Sequence, residues 1–193
     1  MINHRGLSLI LLLYSVAHAA TITVGPGEDH ATIQAAVNAA VDGDRIEVAA
    51  GSYPESVIIN AKSVDIIGVG GAGSTTIEAP AGFHAFAWLS CNSGSVDGFT
   101  ITPNAYRALS MSYSFVTIAN SVIEDAGVGG THDGGGLNVE GGAPTLQLVE
   151  FSNVRGRYGG AIYASNDATI TLEDVEIEDA FATYGGAIYL DDA

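Results

Sequence analysis

Two rows of side chains carry the chemistry that this 193-residue sequence can most readily offer. The segments Gly134-Gly135-Gly136-Leu137-Asn138, Gly159-Gly160-Ala161-Ile162-Tyr163 and Gly185-Gly186-Ala187-Ile188-Tyr189 recur at offsets of 25 and 26 residues. If Leu137, Val139, Ile162, Ala164, Ile188 and Leu190 face a core, then Asn138, Tyr163 and Tyr189 point outward, one above another. Glu140, Ser165 and Asp191 form the next outward row. The opposite assignment would bury Glu140 and Asp191, which is costly for unpaired charges. Tyrosines about 4.8 Å apart beside carboxylates make a platform for sugar rings. The competing reading is a ladder that only stabilises its sheet. Tyr158 and Tyr184 also repeat, at offset 26, and are expected to pack a turn.

The acidic run Glu173-Asp174-Val175-Glu176-Ile177-Glu178-Asp179 has the hard oxygen ligands of a weak surface calcium site. Alternation explains it equally well, with carboxylates on the wet face and Val175 and Ile177 in the core. Asn120, Asp174 and Asp97 share a turn position and are expected to form a polar ladder inside the stack. No cofactor and no resident metal are expected. After removal of a leader, the histidines are His30, His84 and His132.

Short strands must position these rows. Val116–Ala126 matches Ile170–Ala180 at offset 54, about two repeats, and Leu146–Phe151 occupies the same slot between them. Apolar, β-branched residues alternate within each segment, which is a strand pattern. Three strands of three to five residues per repeat describe one coil of a solenoid, and coils bury their apolar faces only by stacking. About six coils at the strand spacing give a rod of roughly 30 Å. Looser strands are expected at 45–49, 56–59, 63–68, 75–78, 85–89 and 98–102. Residues 32–40 read instead as an amphipathic helix, with Ile33, Ala36, Val37 and Ala40 on one face and a cap from Thr32 or Asp29. Placed ahead of a strand stack, such a helix covers the open first coil. The fold class is therefore all-β, a parallel β-helix with a short N-terminal capping helix.

Composition removes several classes of function. Six Lys and Arg against 22 Asp and Glu give a formal net charge of −16. Nucleic acid is excluded as a partner because its phosphates need basic residues, and anionic lipid would repel the surface. Hydrophobic residues make up 47%, too many for a disordered acidic tail. The single Cys91 allows no internal disulfide. Residues 1–19 read as a secretory signal peptide, with an apolar stretch at Leu7–Val16 and a small-residue cleavage site at Ala17-His18-Ala19. An uncleaved anchor is the competing reading, although the stretch is short for a bilayer span. Residues 20–193 form the remaining domain, with no transmembrane segment expected in it.

The segments Thr32-Ile33-Gln34, Gly43-Asp44-Arg45-Ile46-Glu47-Val48, Gly51-Ser52-Tyr53-Pro54-Glu55 and Ile66-Ile67-Gly68 resemble the opening of pectin-lyase-like right-handed parallel β-helix proteins. The resemblance covers residues 22 to 78. The Gly-Gly-Ala-Ile repeats are similar to those of polymorphic outer-membrane proteins, although Asn153 stands one place early for their Phe-x-x-Asn partner. The resemblance implies a right-handed coil and a bacterial cell-surface, outer-membrane or secreted location. It also raises esterase, lyase and polygalacturonase chemistry. The contexts those enzymes need are missing: His132-Asp133-Gly134 is the nearest approach to one, and no acidic motif precedes Arg155 and Arg157. No catalytic residue is assigned. The expected function is adhesion, display or polysaccharide binding, with Asn138, Glu140, Tyr163, Tyr189 and Asp191 as the binding residues. The alternative is a carbohydrate-active enzyme, pectinesterase-like or a polysaccharide lyase, with divergent or missing catalytic coils. Tyr53 and Glu55 are expected to serve a structural turn. The last strand carries no capping segment after it, so that end is expected to be continued or covered by another segment.

Overall fold

The computed structural model describes residues 19–104 and 106–192. The leader expected over residues 1–19 lies, apart from Ala19, outside the described residues. Strand makes up 47% of the chain and helix 4%, so the one helix is an accessory to a β stack. The chain winds as a right-handed parallel β-helix of about 7 turns. This winding is the hand that twisted strands impose on parallel crossovers.

Three faces enclose the core. The first stacks Thr21–Val24, Arg45–Val48, Asp65–Gly68, Ser95–Asp97, the leading halves of Thr117–Glu124 and Thr145–Ser152, and Thr171–Glu173. Its inward column reads Ile22, Ile46, Ile66, Val96, Ile118, Leu146, Leu172, an aliphatic side chain on every rung. The second stacks Gly51–Tyr53, Thr75–Ile77, Thr100–Ile101, the trailing halves of the same two long strands, and Glu176–Glu178. The third stacks Val57–Asn60, Phe86–Leu89, Leu109–Ser114, Leu137–Gly142, Ile162–Ser165 and Ile188–Asp191. Phe86, Phe99 and Phe151 are fully buried where the faces meet, and Trp88 packs on Phe86 with ring centres 5.5 Å apart. A stack of this kind has no core apart from what adjacent coils give each other.

The corners are set by left-handed residues. Gly98, Asn120, Leu148 and Asp174 turn the chain from first to second face with φ of 78°, 45°, 53° and 51°. Asp125, Asn153 and Asp179 turn it after the second face. Ala61, Ser90, Tyr113, Gly141, Asn166 and Asp192 end six successive rungs of the third face in the same conformation. The internal polar ladder expected from Asn120, Asp174 and Asp97 is not formed. Asn120 and Asp174 are exposed, because a left-handed corner residue points its side chain away from the coil. Asp97 sits one position before the corner and accepts a hydrogen bond from Asn120 Nδ2 at 2.9 Å. The strand expected over 98–102 is shortened to Thr100–Ile101 because Gly98 is a corner, and Ser95–Asp97 before that corner is a separate strand not anticipated from the sequence.

The N-terminal motif builds a lid. Helix Ile33–Ala39 is capped by Thr32, whose side chain accepts from the Ala35 N–H, and it buries Ile33, Ala36 and Val37 on the first coil. Glu55 accepts from the N–H groups of Ile33 and Gln34 at 2.8 and 2.9 Å, a second cap supplied from the next coil. The Gln34 amide pairs with both backbone groups of Ile58, which lies on the unpaired edge of the third face. The amide therefore occupies an edge that would otherwise recruit a strand. The Tyr53 hydroxyl donates to the Ala49 carbonyl at 2.8 Å. The segment Gly51–Tyr53, read as turn, is a strand of the second face. On the last described coil Leu172, Ile188 and Leu190 stand 42%, 36% and 62% exposed.

Candidate functional site

The third face presents the two outward rows in the register that alternation implies. Asn138 pairs with Tyr163 and Tyr163 with Tyr189; Glu140 pairs with Ser165 and Ser165 with Asp191. Glycine makes the row possible. Gly134 and Gly159 adopt φ of 62° and 58°, where L side chains are strained. A Cβ on Gly135 would overlap the Arg155 carbonyl of the following coil. The Gly-Gly pairs thus bring each strand tight against its neighbour before the tyrosines begin.

Tyr163 and Tyr189 are half-buried, with ring centres 6.0 Å apart and planes 12° from parallel. That separation exceeds direct face-to-face contact, so the rings are offset and part of each face stays open. The Tyr163 hydroxyl donates to Asp191 Oδ2 at 3.1 Å. Burial, followed by this hydrogen bond, raises the Tyr163 phenol above its usual pKa. The phenol is accordingly a neutral donor at neutral pH. Glu140 and Asp191 are exposed acceptors at the margin. Tyr158, Tyr163, Tyr189 and Asp191 line a cleft of about 150 Å³, half the lower end of ordinary ligand pockets. A cleft of this size is too small to enclose a sugar ring.

Asn138 does not join this surface. It is 2% exposed, a correction to its place in the outward row. Its short side chain lies between Ser110 and the much larger Tyr163 on adjacent rungs, and its amide reaches Glu140 Oε1 at 3.5 Å. Ser165 is also buried, at 8%. The sequence reading missed Tyr158 and Tyr184 as members. They end the paired strands Arg155–Tyr158 and Phe181–Tyr184, stacked 4.9 Å apart and 19° from parallel. Tyr158 lies 4.9 Å from the Tyr189 ring and 6.3 Å from Tyr163. Their shared offset of 26 residues was the signal: it is the offset of Tyr163 and Tyr189 themselves. The Arg157 guanidinium covers Tyr158 at 5.0 Å, a cation over a ring face.

Among the described residues, no group of three or more His, Cys, Asp or Glu is arranged to hold a metal ion. The carboxylates of 173–179 are dispersed, with Asp174 and Asp179 on separate corners. No described helix is long and apolar enough to cross a membrane. Fold and site together define a parallel β-helix protein with an aromatic and acidic strip on one outer face. Comparison with protein-family models, curated proteins and solved structures returns no match.

Proposed function

We propose that the chain is an exported β-helix of the pectin-lyase-like kind that binds polysaccharide without turning it over. Tyr163, Tyr189, Tyr158 and Asp191 form the contact surface. The observation that carries this reading is the offset pair Tyr163–Tyr189 with Asp191 tied to its edge. A pyranose has an apolar C–H face and a hydroxyl rim; offset rings accept the first and carboxylates the second. A polymer running along the axis meets Tyr163 and Tyr189 on two adjacent coils, so two weak contacts add. Export follows from the apolar stretch and cleavage site at the start of the sequence. A cell-surface or outer-membrane setting, with adhesion or display as the outcome, completes the reading.

The deciding experiment is affinity electrophoresis of the full chain in gels cast with neutral and acidic polysaccharides, beside the Tyr163→Ala/Tyr189→Ala double variant. Retardation by at least one polymer, lost in the double variant, is expected, with no new reducing ends or unsaturated product. Equal retardation of both proteins removes the platform. Turnover by the parent protein would replace this reading with a carbohydrate-active enzyme. Export is checked separately: the protein recovered outside the cell should begin at Ala20.

A further inference from the structure

A second cluster stands on the same side of the molecule, just ahead of the third face. His84 and Arg107 each lie two residues before a paired core residue, Phe86 and Leu109. Tyr106 sits between the imidazoles of His84 and His132, with ring centres 5.0 and 4.2 Å away. The Arg107 guanidinium carbon is 5.8 Å from the centre of the Tyr106 ring. All four side chains, and Asp133 beside them, are half-buried. Three polar atoms in the cluster are fully covered and have no hydrogen-bond partner among the described residues: His84 Nδ1, Arg107 Nε and Asp133 Oδ1.

We propose that this cluster binds an oxyanion (a carboxylate, phosphate or sulfate group), with Arg107 as the charged donor and His84 as the second. A covered guanidinium Nε–H without an acceptor is costly. With 22 carboxylates on the chain against six basic residues, an internal partner was readily available by composition. None is used, and the ion pair among the described residues joins Arg45 to Glu47 instead. The planar fork of Arg fits two oxygens of one anion. Burial, and secondarily Arg107, holds His84 at a pKa of about 4. The imidazole is neutral at pH 7, and with its proton on Nδ1 it donates without adding a charge. Asp133 repels an anion from its own end of the cluster, so it suits a hydroxyl or protonated oxygen on the same ligand. The net charge of −16 opposes entry at long range, a force that salt screens.

The test is NMR of the histidine imidazoles in the full chain during titration with inorganic phosphate, and separately acetate, in about 0.15 M NaCl. Saturable shifts of His84 and His132 are expected. Arg107→Gln should weaken binding about tenfold or more, the loss of a charge-assisted bond. His84→Gln, checked for native unfolding midpoint, should weaken it less. Arg155→Gln removes the same charge at an exposed position and should leave affinity unchanged. A sulfated oligosaccharide that binds more tightly than inorganic sulfate identifies a sugar-borne group; equal affinity identifies the free ion. Shifts that stay linear with concentration, or an equal loss in Arg155→Gln and Arg107→Gln, overturn the proposal.

Discussion

His84 has a proton equilibrium that folding moves far. Burial first, then the Arg107 and His132 charges, lower its pKa from 6.5 to about 4. His132 moves in the same direction through burial and Arg107, with Asp133 pulling the other way. Tyr106 is the remaining polar ring against both imidazoles. Because the unfolded chain binds the His84 proton more readily, its contribution is fully present above pH 6.5. It is lost as pH falls from 6.5 toward 4. Urea midpoints of the parent are expected to decline through that window, and His84→Gln should flatten the decline; parallel curves for the two proteins would contradict it. Nothing in the sequence pairs His84 with Arg107. Phe86 and Leu109 are 23 residues apart and Leu109 and Leu137 are 28, so the coils carrying this cluster have no fixed length to count by. From Leu137 onward the spacing settles at 25 and 26, and there the tyrosine row could be read directly.

At the scale of elements, strands were legible wherever a β-branched residue fell on every second position, and corners were not. The corner from first to second face is a left-handed residue on rung after rung, yet it is Gly98, Asn120, Leu148 and Asp174 in turn. Gly, Asn and Asp are turn residues that the sequence advertises; Leu148 hides the position. Its backbone φ of 53° costs about 1–2 kcal/mol for an ordinary L residue, and its side chain is 54% exposed with little packing to offset that. Leu148→Asn is therefore expected to stabilise the protein by about 1 kcal/mol, read as a raised urea midpoint at unchanged slope. A lowered midpoint would show that Leu148 packs more than its exposure implies. The N-terminal lid behaves oppositely, since its polar residues are fully engaged. Glu55→Ala removes the carboxylate oxygens that accept from the Ile33 and Gln34 N–H groups and should cost about 1–2 kcal/mol. Glu55→Gln should cost less, because one oxygen still accepts. The bonds of the lid explain why Gln34, Tyr53 and Glu55 occur together: Gln34 covers the edge at Ile58, Glu55 caps the helix and Tyr53 ties down the Ala49 carbonyl.

On the scale of the whole molecule, stability is a chain of nearest-neighbour terms. Each coil is held by the coil on either side, and the inward columns run unbroken from Ile22 to Leu172 on the first face and from Val57 to Ile188 on the third. Nothing in such a stack links distant coils directly, so opening can begin at an end and progress inward. The two ends of the described structure are unequal. The first coil has its helix, with Gln34 on the edge strand and Glu55 on the helix start. On the last described coil Leu172, Ile188 and Leu190 continue inward columns but stand partly exposed. Amide hydrogen exchange of this chain should therefore show a one-sided gradient. Protection is expected to be highest in Phe86–Leu89, Leu109–Ser114 and Thr117–Glu124, intermediate in Arg45–Val48, and lowest in Thr171–Glu173 and Ile188–Asp191. Gln34→Ala together with Glu55→Ala should remove the asymmetry by loosening Arg45–Val48 and Val57–Asn60, while the central rungs keep their protection. Uniform exchange across all rungs, in parent and variant alike, would mean that the stack opens as a single cooperative unit. In that case the helical lid stabilises the central coils as strongly as the first.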